Sequence, residues 1–137
     1  MREDLRQATA LIAALLLGGR DYGAVYDPVS ERRFPYDVSQ IDALAAGEVR
    51  SARVLDLARR GQLLVEGFRP TYRLFDVSGG VVISLELGPA SAFRGHDTTS
   101  GSFFEGRATG AEAEVLDRED GRLHRYLLMS GGAERRG

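Results

Sequence analysis

A chain of 137 residues is long enough to bury one real core and too short for two ordinary domains. With 43% hydrophobic and 28% charged residues it belongs with globular chains rather than disordered ones, and a net charge of −2 gives no reason to expect a polyanionic partner. The absence of cysteine excludes disulfides, thiolate metal sites and a cysteine nucleophile, and fits the reducing cytoplasm where we expect the protein.

All 18 basic residues are arginine, and asparagine is missing as well. Lysine and asparagine have A-rich codons, so a GC-rich, bacterial type of genome is the simplest explanation. Turns that would have used asparagine use glycine and aspartate instead, which accounts for part of the 17 glycines.

Helical spacing of Leu5, Ala8, Ile12, Leu15 and Leu16 predicts a helix from Glu3 to Leu17, with Glu3 and Asp4 at its positive end and Gly18-Gly19 as its stop. Its second half is apolar on all sides but too short to span a bilayer, so a buried helix is expected, with a partner-facing strip as the alternative. A β-hairpin follows, Tyr22–Tyr26 and Phe34–Val38, around Asp27-Pro28-Val29-Ser30-Glu31. Pro35 cannot donate to a ladder and predicts an edge strand. Ser39 offers an N-cap to a helical pair running from Gln40 to Arg60, weakened at Gly47, with Asp56 and Arg60 as an i,i+4 pair.

From Gln62 the period changes to two. Strands are expected at Leu63–Phe68, Thr71–Val77 and Val81–Leu87. Gly88 to Gly101 reads as a long polar loop. Strands near Phe103–Ala108, Ala111–Leu116 and Arg122–Met129 complete the chain, and the end reads as a frayed tail. The fold class is therefore α+β: N-terminal helix, β-hairpin, helical pair, then a mainly antiparallel β-meander forming a curved sheet or partial barrel. We expect a single domain over residues 1–131 and a flexible tail over 132–137. One internal echo stands out. Val25-x-Asp27-x4-Arg32-x3-Tyr36-x-Val38 has the spacing of Val115-x-Asp117-x4-Arg122-x3-Tyr126-x-Leu128. It marks two similar hairpins and is too short to separate a duplication from shared turn chemistry.

His96-Asp97-Thr98-Thr99-Ser100 is the one cluster that sets nucleophile, base and acid residue types side by side. Neighbours on a loop rarely converge on one substrate atom, so Arg94, His96 and Asp97 are taken as contact-loop residues rather than a catalytic set. His124 shares a strand face with Arg122, Tyr126 and Leu128; if that face lines a cavity, Tyr72, His124 and Tyr126 are the ligand-pocket candidates. No metal-ligand spacing, phosphate loop or nucleophile elbow is visible, so no catalytic residue, metal or cofactor is assigned.

Two resemblances bear on function. The run Glu48-Val-Arg-Ser-Ala-Arg-Val-Leu-Asp-Leu-Ala-Arg-Arg followed by the Tyr72–Leu87 hairpin resembles the helix-then-wing order of winged-helix DNA-binding proteins. That resemblance implies phosphate contacts by Arg50, Arg53, Arg59 and Arg60, against which stand the acidic balance and Asp56 among the arginines. Helices followed by a curved sheet ending in Val115-Leu-Asp-Arg-Glu-Asp-Gly-Arg-Leu-His-Arg-Tyr are similar to the nuclear transport factor two-like superfamily. That implies a cone-shaped pocket for small apolar ligands, isomerase or cyclase chemistry, or dimeric scaffolding. The reading we carry forward is a small non-catalytic interaction or scaffolding domain, self-associating through the apolar helix or holding a protein partner. A pocket protein acting on a small molecule is the alternative. A nucleic-acid binder is the third, not expected.

Overall fold

The structure is a computed structural model and describes residues 1–18 and 21–130. Gly19 and the expected tail over 132–137 lie outside the described residues. The fold is α+β as the sequence implies: an N-terminal helix, a short second helix and an antiparallel meander. Its ten strands close into a barrel in the order β1-β10-β9-β8-β7-β6-β5-β4-β3-β2. The strands are β1 (Tyr22–Asp27), β2 (Arg32–Val38), β3 (Glu48–Asp56), β4 (Gln62–Phe68), β5 (Thr71–Asp76), β6 (Val82–Leu87), β7 (Ala92–Asp97), β8 (Ser102–Thr109), β9 (Glu112–Asp117) and β10 (Arg122–Ser130), with α1 (Glu3–Gly18) before them and α2 (Ile41–Ala46) between β2 and β3.

Helix α1 runs through the inside of the barrel. Its residues Leu5 to Leu16 are all buried, which is the fate of a helix without a polar face. An eight-stranded barrel is just filled by its own side chains, so ten strands leave room for an axial element. Inward positions are small or aliphatic where the helix lies against them: Val25, Val49, Val65, Leu74, Ile83, Ala113 and Val115 are all at or below 1% exposure. The polar groups on α1 are satisfied locally or by the wall. The Thr9 hydroxyl donates to the Leu5 carbonyl (2.7 Å), and Gln7 Oε1 accepts from Arg59 Nη2 (2.8 Å).

Burying the whole helix removes the apolar strip through which self-association was expected. That route is closed by the barrel wall. Among the described residues no helix is long and apolar enough to cross a membrane. The outer wall of β5–β10 instead carries cross-strand charge ladders. Glu86 faces Arg94, which faces Glu105, and Arg107 faces Glu114, which faces Arg125. Opposite charges set directly across the sheet fix its register.

Five local expectations change. The stretch 48–60 is not helical: after α2 the chain becomes β3, with Val49, Ala52, Val54 and Asp56 turned inward around a bulge between Val49 and Ala52. Ladders with β2 and β4 override the mild helix propensity of Ala, Arg and Leu there. Ser39 does not cap α2. Its hydroxyl donates to the Arg53 carbonyl and accepts from the Arg53 amide (both 3.2 Å), extending the β2–β3 pairing. Asp56 pairs with Arg59 rather than Arg60. The expected loop Gly88 to Gly101 contains β7, paired on both sides. Pro35 is not on an edge, because a closed barrel has none. The Pro35 carbonyl accepts from Leu57 (3.1 Å) where the β2–β3 ladder has ended, so its missing N–H costs no ladder bond.

The sequence echo is part of a larger regularity. Asp27, Asp56, Asp76, Asp97 and Asp117 are the last residues of β1, β3, β5, β7 and β9, so all five sit at one mouth of the barrel. Four residues after each comes a left-handed position: Glu31, Arg60, Gly80, Gly101 and Gly121. Asp27, Asp56, Asp97 and Asp117 accept the amide two residues on through Oδ1, at 2.9–3.1 Å. Each is the same hairpin, closed by the same turn.

Between β7 and β8 the wall is packed by reciprocal pairs. Phe93 stands opposite Gly106, and Gly95 opposite Phe104. A Cβ on Gly95 would meet the Phe104 ring at 2.4 Å and the Ser84 carbonyl oxygen at 2.1 Å; one on Gly106 would meet the Phe93 ring at 2.5 Å and the Glu114 carbonyl oxygen at 2.2 Å. Each glycine is where it is because a ring lies across it.

Candidate functional site

Chemistry-bearing side chains gather in two places, the aspartate mouth and the outer wall of β6–β10. At the mouth, α1 enters with its cations first. Arg6, 8% exposed, donates from Nη1 to Asp117 Oδ2 (3.1 Å) and from Nε to the Tyr126 hydroxyl (2.8 Å). The Met1 ammonium lies 3.4 Å from Asp117 Oδ2 and also contacts Glu119. Arg2 bridges Asp4 and Asp76, and Arg59 binds Asp56 and Gln7 while its guanidinium lies 4.0 Å over the Phe34 ring. Burial opposes the charge on Arg6, but the Tyr126 hydroxyl and Asp117 outweigh it and hold its pKa above the ordinary value. Burial also pushes the Tyr126 phenol up, against the pull of Arg6.

Of the three expected pocket residues, Tyr126 and His124 share the inner face of β10 near this mouth. Tyr126 is 1% exposed, and His124 is half-buried with Nε2 2.7 Å from Asp120 Oδ2. Tyr72 does not join them. It lies on the inner face of β5, its hydroxyl donating to the Gly47 carbonyl (3.0 Å) beside α2 at the other end of the barrel, where burial raises its pKa. Tyr126 and Leu128 on that shared face are buried against the core that α1 supplies, while Arg122 at the start of the strand is exposed.

Asp117, Asp120 and His124 bring ligand atoms within 4.8 Å of one another, a spacing a cation could use. Two cationic groups already serve them: Arg6 Nη1 is 3.1 Å from Asp117 and 3.9 Å from Asp120, and the Met1 ammonium is beside Asp117. A divalent ion would bring more positive charge to a place already balanced, so the cluster is an ion-pair network. Burial works against the Asp120 carboxylate, yet the Arg122 amide, His124 and the charge of Arg6 together hold its pKa below the usual carboxylate value.

On the outer wall, the contact-loop candidates separate by strand alternation. Arg94 and His96 point out and Asp97 points in, so His96 and Asp97 cannot act on one atom. Arg94 is held by Glu86 (2.8 Å from Nε), and the His96 ring lies 4.7 Å from the Phe103 ring. Asp97 Oδ1 is spent on the amides of Thr99 and Ser100. Two neighbouring grooves cross this wall. One of about 530 Å3 runs over Gly95 between Glu86–Arg94 and the Glu105–Arg118 ion pair, with Phe103 at its side. The other, about 650 Å3, runs over Gly106 between Pro89, Arg107 and Glu114, with Leu116 and Leu123 at its far wall. Phe103 is 64% and Leu123 53% exposed.

Sequence reasoning missed the Arg6–Asp117 network and the glycine floors of the grooves. The network was signalled by an Asp recurring at steps of 20, 21 and 20 residues after Asp56, each four residues before a left-handed position. The glycine floors carried no signal before the register was known. No protein-family model matches this sequence, and no curated protein or solved structure matches it either.

Proposed function

We propose that this chain is a small non-catalytic interaction domain that receives a protein partner on the outer wall of β6–β10. The observation that supports it best is the position of α1. With the barrel axis filled, a partner or ligand of any size has only the outside to bind. The polar groups at the mouth are tied to one another rather than aimed at free space. Because the barrel has no free edge strand, a partner cannot dock by adding a strand and must be recognised by side chains. The wall offers a suitable mixture: two grooves, apolar anchors at Phe103 and Leu123, and a rim of Glu86, Arg94, Glu105 and Arg107. The setting we infer, a bacterial cytoplasm, is supported by the all-arginine cation set and the cysteine-free composition.

The test is affinity capture from the source cell with three proteins: the native chain, Phe103→Glu and Leu123→Glu. Both positions are exposed, so the variants should unfold within about 0.5 kcal/mol of the native chain. We expect one protein, or a second copy seen by sedimentation, to be retained by the native chain and released by the variants. Retention that is indifferent to both substitutions, or retention of nothing, would reject the outer wall as the contact face.

A further inference from the structure

We infer that a single water molecule is bound in a buried polar site between α1 and the β2–β5 wall, with the Tyr36 hydroxyl as its donor. The site stands on two independent observations. A small space of about 20 Å3 lies there, lined by Asp4, Leu5, Ala8, Tyr36, Asp56 and Asp76 among others. One water needs roughly 10–15 Å3 of such space, so there is room for one and not for two. Tyr36, which lines this space, is 4% exposed, and its hydroxyl is the buried side-chain polar atom that makes no hydrogen bond to the protein among the described residues. Buried hydroxyls are almost always paired, and three acceptor carboxylates, Asp4, Asp56 and Asp76, share this small space with Tyr36.

The occupant is neutral. Arg2 already bridges Asp4 and Asp76, and Arg59 already binds Asp56, so each carboxylate around the space has a cationic partner. Each carboxylate oxygen still has acceptor capacity beyond these bonds. A water can therefore accept from Tyr36 and donate to two of the three aspartates, joining β2 to two of α1, β3 and β5. The phenol remains protonated for this purpose, because burial raises its pKa, with Asp56 adding to the effect. A cation would compete with Arg2 and Arg59 for these carboxylates and could not accept the Tyr36 proton.

The full chain, isotope-labelled, is placed in water and its water-to-protein NOE and ROE cross-peaks are recorded. We expect peaks of opposite sign in the two spectra at the Tyr36 ring and at the Leu5 and Leu63 methyls, the signature of a long-held water. Two variants separate a bound water from exchange through the hydroxyl itself. Ala8→Val fills the space while keeping Tyr36, and should abolish the peaks at the Leu5 and Leu63 methyls; Tyr36→Phe removes the donor and should weaken or abolish them with the fold intact. Absence of the peaks in the native chain, or their persistence in Ala8→Val, overturns the inference. A saturable shift of the Tyr36 ring resonances on adding sodium or calcium would assign the site to a cation and overturn it as well.

Discussion

Removing Asp117 tests whether α1 is held in the barrel by the ion pairs at its entrance as well as by apolar packing. The carboxylate is 1% exposed, Arg6 is 8% exposed, and their polar atoms are 3.1 Å apart. Two unit charges about 4 Å apart attract by about 4 kcal/mol at an effective dielectric near 20, a gain largely offset by the cost of taking both out of water. Deleting one partner keeps that cost and loses the gain. Asp117→Ala should therefore lose about 3 kcal/mol from the stranded Arg6 charge, and about 1 kcal/mol more from the bond its Oδ1 gives the Glu119 amide (3.0 Å). Asp27→Ala is the internal control. Asp27 accepts the Val29 amide in the same way at 3.0 Å and makes no ion pair among the described residues, so its loss should cost only about 1 kcal/mol. Urea unfolding is followed by far-UV circular dichroism and tyrosine fluorescence, since the chain has no tryptophan. In a double-mutant cycle with Arg6→Met the coupling energy should be about 2–3 kcal/mol. A coupling below about 0.5 kcal/mol, or an Asp117→Ala no worse than Asp27→Ala, would refute the idea that this pair secures the helix.

Three further outcomes follow from the structure. Burial holds the phenols of Tyr36, Tyr72 and Tyr126 above their ordinary pKa, so the unfolded chain gives up these protons first; stability should be intact below about pH 10 and fall as pH rises beyond it. Absorbance at the phenolate band should then rise in step with loss of the circular dichroism signal, and free titration of all five tyrosines in the folded chain would contradict this. Gly106→Val should cost at least about 2 kcal/mol in urea unfolding, because its side chain meets the Glu114 carbonyl oxygen and the Phe93 ring, and no rotamer of valine avoids the backbone atom. Arg60→Gly should stabilise by about 0.5–1 kcal/mol, since an arginine at φ 62° bears a left-handed strain that glycine relieves, less the entropy glycine adds to the unfolded chain. A melting midpoint that falls in Arg60→Gly would count against the shared-turn description of the five hairpins.

Among the candidate residues, those on β10 show where reading the chain stopped. Alternation placed His124 and Tyr126 on one face, and the structure keeps them there. What that face met depended on the far end of the sequence, because Arg6 is 120 positions away from Tyr126. Similarly, His96 and Asp97 were legible as neighbours, but only the presence of β7 shows that they look to opposite sides of a wall. A strand such as β3, with three alanine or arginine positions beside two valines, has little local preference to overcome, so its neighbours β2 and β4 decide it.

The sequence by itself determined the all-apolar character of the second half of α1, the period-two runs from Gln62 onward and the turns after Asp27 and Asp117, since these follow from side-chain chemistry within a few residues. Only the tertiary structure decided that the meander closes on itself, that α1 fills the axis, and that Asp76 and Asp117, from separate strands, meet the cations of one helix entrance. Closure depends on β1 pairing with β10 across more than 90 residues of intervening chain, a contact whose register no local pattern specifies. The space inside was then set by the strand number, and the helix that fits it removed the interior from the list of places where this protein can bind anything larger than water.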